Sequence, residues 1–366
     1  MKNGEIKLVH DSLVVSGGAE RVAAALCRIY PQAPLFTSAW LPEKTFPYFK
    51  DNPPHTMTLS GLARSERGFK ALYPLWWLGF RNMNFRGAKL ILSSSSYLAK
   101  FIRPPEGTVH ICYLHNPFRY LWERETYGKD SLPYSGLLLR MTDSFRASLQ
   151  RMDRRRTREI THILTNSQYT AERIKSIYDC EAEVVYPPVN YADFPFSDER
   201  EDFYLSAGRL LSYKHTDLAI KACRSLGRKL VIAGSGPEEA RLRRLAGGRI
   251  TFLGSVSDQA LKKLYAQARA LIFPGCEDFG IIPVEAQAAG CPVIAFGQGG
   301  ILESVIPEQT GVFFDRQSPE VLMDAILRFE QKQFNHRQIR QNSKRFDTAI
   351  FKKKIQSIVE RYLPNA

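Results

Sequence analysis

Residues 228–275 read RKLVIAGSGPEEARLRRLAGGRITFLGSVSDQALKKLYAQARALIFPG. The stretch divides at its glycines and prolines. RKLVIAGSG is a short apolar run that ends in a glycine turn, and PEEARLRRLA then has helical spacing. RITFLGSVS is a second strand, DQALKKLYAQA a second helix and RALIFPG a third strand. Strands that alternate with helices imply parallel pairing, because a parallel partner needs a crossover long enough to hold a helix. Helices then cover both faces of the sheet. In such sheets ligands bind beyond the C-terminal strand ends.

The same alternation extends in both directions. Upstream lie FYLSAGRL (203–210) and HTDLAIKACRSL (215–226); downstream lie PVEAQAAG (283–290) and PVIAF (292–296). A loose stretch, NYADFPFSDERED (190–202), separates this series from an earlier one. That series has strands at IKLVHDSLVV (6–15), AKLILSSSS (88–96), VHICYLH (109–115), ITHILTNS (160–167) and AEVVYPPVN (182–190). Its helices are SGGAERVAAALCRIY, after a Ser16-Gly17-Gly18 turn, and SQYTAERIKSIY. The fold class is therefore α/β, with two doubly wound domains and a cleft between them as the default ligand site. The expected boundaries are 1–190, 191–345 and a helical tail, 346–366.

Composition agrees with this reading. The chain has 366 residues, 44% hydrophobic and 24% charged, which is ordinary for a globular protein of two domains. The formal net charge of +14 favours an anionic partner. Residues 1–190 carry +9 of it, and within 61–103 only Glu66 opposes eight basic residues. The six cysteines form no CxxC pair and have no histidine cluster beside them, so neither zinc nor a disulfide framework is expected. No apolar run approaches the length of a membrane span, and MKNGEIKLVHDSLVV lacks the features of a secretory leader. A reducing, cytoplasmic setting is expected, with the possibility of a peripheral position on the inner face of a membrane.

Five segments carry the chemistry. In EDFGIIPVEAQAAG (277–290), Pro283 suits a first helical turn and Gly290 a helix end. The free amides at that helix start can bind an anion, and Gly280 lets backbone approach a ligand. Glu285 then falls in the first turn. Glu277 and Glu285 admit two readings: a loop acid and a dipole-matching acid, or two carboxylates that accept sugar hydroxyls on either side of phosphate-binding amides. In SAGRLLSYKHTD, Arg209 and Lys214 follow a strand end and either clamp a diphosphate or are solvated charges. SGGAE lacks a full G-x-G-x-x-G; Gly17 and Gly18 either meet phosphate or make an ordinary turn. In YLHNPFRYLW, His115 ends a strand, as a structural or a functional histidine. Finally, GFKALYPLWWLGFRNMNFRGAK (68–89) interleaves Lys70, Arg81, Arg86 and Lys89 with aromatics. It is either a membrane-interface segment or core aromatics with solvated bases. RMDRRRTREI (151–160) is read as a solvated helix face.

Taken together these residues resemble the retaining glycosyltransferases of family 4, of GT-B architecture with two Rossmann-like domains. The resemblance spans nearly the whole chain and is strongest over 203–305, where EDFGIIPVE looks like the family's two-glutamate motif, with seven residues between the acids. By that resemblance Glu277 binds donor-sugar hydroxyls, and Phe279, Gly280, Ile281 and Ile282 offer amides to sugar and phosphate. Glu285 holds the ribose, and Arg209 and Lys214 neutralise the departing diphosphate. Gly17 and Gly18 touch that diphosphate, and His115 lies near the reacting centre. Val256 and Asp258 lie near the base, and Gly234, in IAGSGPE, joins the donor-binding set. LVHDSLVVSGGAERV and YLHNPFRYLW look closest to the branch that moves mannose from GDP-mannose in bacterial polysaccharide synthesis. The resemblance thus implies a nucleotide-sugar donor, a saccharide or lipid-linked saccharide acceptor, no metal and no other cofactor. An anionic membrane surface could be met through 69–89. A UDP-sugar donor and a nucleotide-sugar 2-epimerase are the alternatives. A basic non-enzymatic binder needs no strand-end motifs, so no nucleic-acid partner is expected.

Overall fold

The structure is a computed structural model that describes residues 5–62, 65, 69, 73–123 and 136–363. The chain forms two compact units, Met1–Pro188 with Ala349–Ala366, and Val189–Thr348.

The first unit is built on seven parallel strands: β1 (Ile6–His10), β2 (Leu35–Thr37), β3 (His55–Thr56), β4 (Leu90–Ser95), β5 (Val109–Leu114), β6 (His162–Thr165) and β7 (Glu183–Val184). Their order is β3-β2-β1-β4-β5-β6-β7, so strand order reverses between β1 and β4. Register places Ile6 beside Leu90 and His10 beside Ser94. Strand β4 is buried along its whole length, yet it changes from Leu-Ile-Leu to three serines towards its C-terminal end. Buried hydroxyls must find partners, so this end is built for polar contacts. The helix Gly18–Ile29 buries Val22, Leu26 and Ile29, a period-3.6 stripe, against β1 and β4. The last helix, Thr348–Tyr362, adds Phe351, Ile355, Ile358 and Val359 to the same core.

The second unit has six parallel strands: β8 (Glu201–Ala207), β9 (Leu230–Ala233), β10 (Ile250–Gly254), β11 (Ala268–Phe273), β12 (Val293–Phe296) and β13 (Gly311–Phe314). Their order is β10-β9-β8-β11-β12-β13, with the reversal between β8 and β11. Ser257 and Ser318 cap the helices Asp258–Gln267 and Pro319–Glu330 by accepting from Ala260 and Val321 amides.

The structure departs from the sequence expectations in three places. The helix after EDFG begins at Ile281, two residues earlier than Pro283 suggested, so Glu285 lies just beyond the first turn. Gly280 makes this possible, since it caps the helix with φ +82°, a conformation that disfavours other residues. In the 68–89 segment, Phe69, Trp76, Phe80 and Phe85 are buried in one cluster with Val9 and Ile91. These four are core residues, so they do not present themselves to a membrane. Among the described residues there, Leu75 and Leu78 are the exposed large apolar side chains, and Lys70 lies outside the described residues. Strands β2 and β3 escaped the sequence reading because three and two residues carry too little periodicity.

Candidate functional site

In the second unit the reversal between β8 and β11 opens the sheet's C-terminal edge, and the loops leaving both strands carry predicted site residues. After β8 the chain passes through Gly208 and Arg209 to the turn Ser212–Lys214. After β11 it passes through Gly275 and Glu277 to the helix Ile281–Ala288. The Lys214 ammonium meets Glu277 Oε1 in an ion pair whose side chains are 16% and 19% exposed. The pair is shielded enough to be specific and open enough to meet a ligand. Arg209 stands on the same loop with its side chain exposed.

Glycines let these loops lie backbone against backbone. A Cβ on Gly234, where φ is +147°, would sit 1.9 Å from the carbonyl oxygen of Gly208. One on Gly300 would sit 2.1 Å from the Asp278 carbonyl oxygen, and the Gly300 amide donates to Glu277 O at 3.0 Å. Gly299 and Gly300 therefore hold EDFG in place, a part of the site that sequence reading missed. Only their doubled glycine hinted at it.

Glu285 is 3% exposed and accepts the Tyr265 hydroxyl at 3.0 Å. A dipole-matching acid would stand in solvent; this one is held inward by the helix Asp258–Gln267. Phe279 is buried and packs edge-on against Phe346, with ring centroids 5.4 Å apart. It anchors the loop while its neighbours Gly280, Ile281 and Ile282 form the helix start, where amides lack intrahelical acceptors. Val256 and Asp258 follow β10, the edge strand two positions from β8. Asp258 is exposed and pairs with Lys262 at 2.8 Å.

Gly17, Gly18 and His115 belong to the first unit, at the C-terminal ends of β1 and β5. Gly17 caps its helix, and its amide donates to Glu20 Oε2 at 3.0 Å. His115 is buried, with Nε2 2.8 Å from Ser94 Oγ. Ser94 Oγ is in turn 3.1 Å from His10 Nδ1, which also lies 3.1 Å from the Ser94 carbonyl oxygen. A carbonyl only accepts, so His10 carries its proton on Nδ1 and Ser94 Oγ receives that N–H. The same Ser94 hydroxyl shares its other hydrogen bond with His115 Nε2. Burial, and next the neighbouring His10, push the His115 pKa down to about 3. His115 is thus a neutral imidazole held by the Ser94 hydroxyl. Sequence reading missed His10 and Ser94, although three serines at a strand end were a visible signal.

Asp11 has a structural task at the same edge. Its carboxylate accepts amides of Ser96, Tyr97, Leu98 and Ala99 and the Ser95 hydroxyl. Among the described residues no group of three or more His, Cys, Asp or Glu side chains is placed to hold a metal ion, and no helix is long and apolar enough to cross a membrane.

Residues 191–346 match the family described as Glycosyl transferases group 1. The chain is 31% identical over 239 residues to the human alpha-1,3/1,6-mannosyltransferase ALG2, across 54% of this chain and 57% of that one. It is 27% identical over 234 residues to the O-antigen chain mannosyltransferase RfbU of Salmonella typhimurium, across 60% and 59%. The matches thus span little more than half the length of these curated relatives. Among solved structures, Anabaena Alr3699/HepE in complex with UDP and glucose superposes with a TM-score of 0.70 at 16% identity, covering 97% of this chain and 99% of that one. At such identity the likeness is one of fold: two parallel-sheet, Rossmann-like halves. Residues 191–346 are thus similar to the group 1 glycosyltransferases, and the whole chain shares the fold of the GT-B class.

Proposed function

We propose that the protein is a retaining hexosyltransferase that moves mannose from GDP-mannose to a saccharide or lipid-linked saccharide acceptor in polysaccharide or glycolipid synthesis. One observation carries the reading: the Lys214–Glu277 pair at the β8–β11 reversal, beside the start of the helix Ile281–Ala288. The donor's diphosphate would lie on the Gly280, Ile281 and Ile282 amides with Arg209 and Lys214 beside it. Glu277 would accept sugar hydroxyls, Glu285 would hold the ribose, and Val256 and Asp258 would flank the base. Gly234 shapes this wall, and Phe279 anchors it. Gly17 and Gly18 would meet the diphosphate and His115 the sugar.

In the reaction the anomeric C–O bond breaks and its electron pair passes to the diphosphate. Arg209, Lys214 and the helix amides stabilise that growing charge, with no metal required. The acceptor hydroxyl attacks on the face the leaving group departs, and its proton passes to a diphosphate oxygen. Glu277, paired with Lys214, acts as a sugar binder rather than a nucleophile. His115, a neutral imidazole, would hydrogen-bond to the donor sugar.

Likeness to two mannosyltransferases supports mannose, while the neighbour holding UDP and glucose favours a UDP-sugar as second reading. A thermal-shift screen with GDP, UDP, ADP and their sugars separates the two. A ligand at 100 times its dissociation constant stabilises the fold by about 2.7 kcal/mol. Incubation with donor alone tests the epimerase alternative: an epimerised donor sinks the transferase reading. A cytoplasmic protein resting on anionic lipid would use Leu75, Leu78, Arg81 and Arg86, and loss of liposome binding at high salt would be its sign.

A further inference from the structure

The opposite edge of the first unit's sheet, where strands begin, holds a second concentration of charge. Two adjoining cavities of about 370 and 400 Å³ share Arg156 as a common wall. One is lined by Arg103, Pro104, His110 and Glu159 in front of β5 and β6; the other by Arg81, Arg151, Met152 and Arg155. Five guanidinium groups from three separate segments meet there: the end of the helix Tyr73–Arg81, the loop into β5, and the helix Gly136–Arg158.

Their own partners do not balance them. Glu159 is shared between Arg155, at 3.2 Å, and Arg156, at 2.5 Å. Among the described residues Arg151 reaches only the Ser148 hydroxyl, at 3.1 Å, and Arg81 lies over the Trp77 ring, 4.6 Å from its centroid. Among the described residues no carboxylate pairs with Arg81 or Arg103. Desolvation first, and then the nearby Arg103 and Arg156, lower the Arg81 pKa. Arg156 is only 20% exposed, so it is fixed in the shared wall rather than free in solvent. Below it the buried Lys100 lines the same cavity, its ammonium 2.6 Å from Asp153.

Arginines at the C-terminal ends of helices complement the helix dipole, and this accounts for Arg81, Arg155 and Arg156 in part. It does not account for Arg103, which stands on a loop, or for concave walls that bring the five together. A cationic concavity with forked guanidinium donors and the apolar surfaces of Ile102, Pro104 and Met152 suits phosphate groups on a carbon carrier. We propose that this edge is a second anion site, for a phosphate- or diphosphate-bearing ligand, separate from the donor site and independent of the donor assignment. A soluble phosphate ester and a lipid headgroup share this chemistry.

The test uses the full chain carrying Arg209→Ala and Lys214→Ala, so that binding at the β8–β11 loops is removed. Calorimetry with inorganic pyrophosphate probes the soluble source. Co-sedimentation with phosphatidylcholine vesicles, with and without phosphatidic acid, probes the headgroup. Arg81→Gln and Arg103→Gln, which break no ion pair, are then added together. The expected result is binding of at least one probe that weakens about tenfold or more in the doubled variant and declines steeply with salt. Pyrophosphate binding identifies a soluble ligand, and binding to phosphatidic acid vesicles alone identifies a headgroup. Failure of both probes to bind, or equal binding with and without the two glutamines, overturns the proposal.

Discussion

Lys214 and Glu277 lie 63 positions apart and meet only because β8 and β11 are neighbours. On the proposed donor assignment, Lys214→Ala removes a cation from the leaving group, and it leaves Glu277 without its ion-pair partner. Transfer should fall by about 10²–10³-fold, the loss typical of one donor to a developing charge. Steady-state kinetics with GDP-mannose measures this, and a wild-type rate would refute the role. Ser94 acts one step back. On the proposed role of His115, Ser94→Ala removes the hydrogen bond to His115 Nε2, and kcat should fall on the order of tenfold, as for one lost hydrogen bond. Nucleotide affinity should stay unchanged, which a merely destabilised protein would not show. Acid should act on the same residues. Burial lowers the pKa of His110 to about 4 and of His115 to about 3, against about 6.5 in an unfolded chain. Between those values the unfolded state binds more protons, so stability falls as pH drops below about 6.5 and continues to fall towards 3. Denaturant midpoints from pH 7.5 to 4 should show this slope, and His110→Asn, which cannot take up a proton there, should flatten part of it.

At the scale of elements, the alternation of strand and helix was plain in the sequence because buried parallel strands are short apolar runs and their helices are amphipathic. β11 and the loop after it could be read almost residue by residue. The start of the next helix could not, because Pro283 looked like the first helical residue while Gly280 set the true boundary. The site's acids and cations were visible as residue types, but their pairing depended on strand order, which the sequence does not display. The glycine contacts lay further out of reach, since closeness of two backbones leaves no pattern. They do make a prediction. Gly300→Ala puts a Cβ 2.1 Å from the Asp278 carbonyl oxygen, and no rotamer relieves a backbone clash. Stability of the second unit should fall by on the order of 1–3 kcal/mol, the range of most damaging single substitutions. Gly248→Ala, with nothing within 4 Å of its Cβ, is the matched control and should change stability little. Urea unfolding of both variants makes the comparison.

Across the whole molecule the two units differ in continuity. The second runs unbroken from Val189 to Thr348, while the first needs the segment from Ala349 onward. That segment's helix buries Phe351, Ile355, Ile358 and Val359 in the core formed by Ile6, Leu8, Leu26 and Leu92. Burying four such side chains is worth roughly 1.5–3 kcal/mol each, an upper figure because unfolded chains bury some apolar area already. The sum rivals the 5–15 kcal/mol that stabilises a typical domain. Residues 189–348 expressed alone should therefore unfold cooperatively and, on the proposed donor assignment, gain stability from the nucleotide that stabilises the full chain. Residues 1–188 alone should lack a cooperative transition, and supplying residues 349–366 through a linker should restore one. Calorimetry distinguishes the cases: a sharp transition from 1–188 alone would show that the last helix is an accessory to that core and not a part of it.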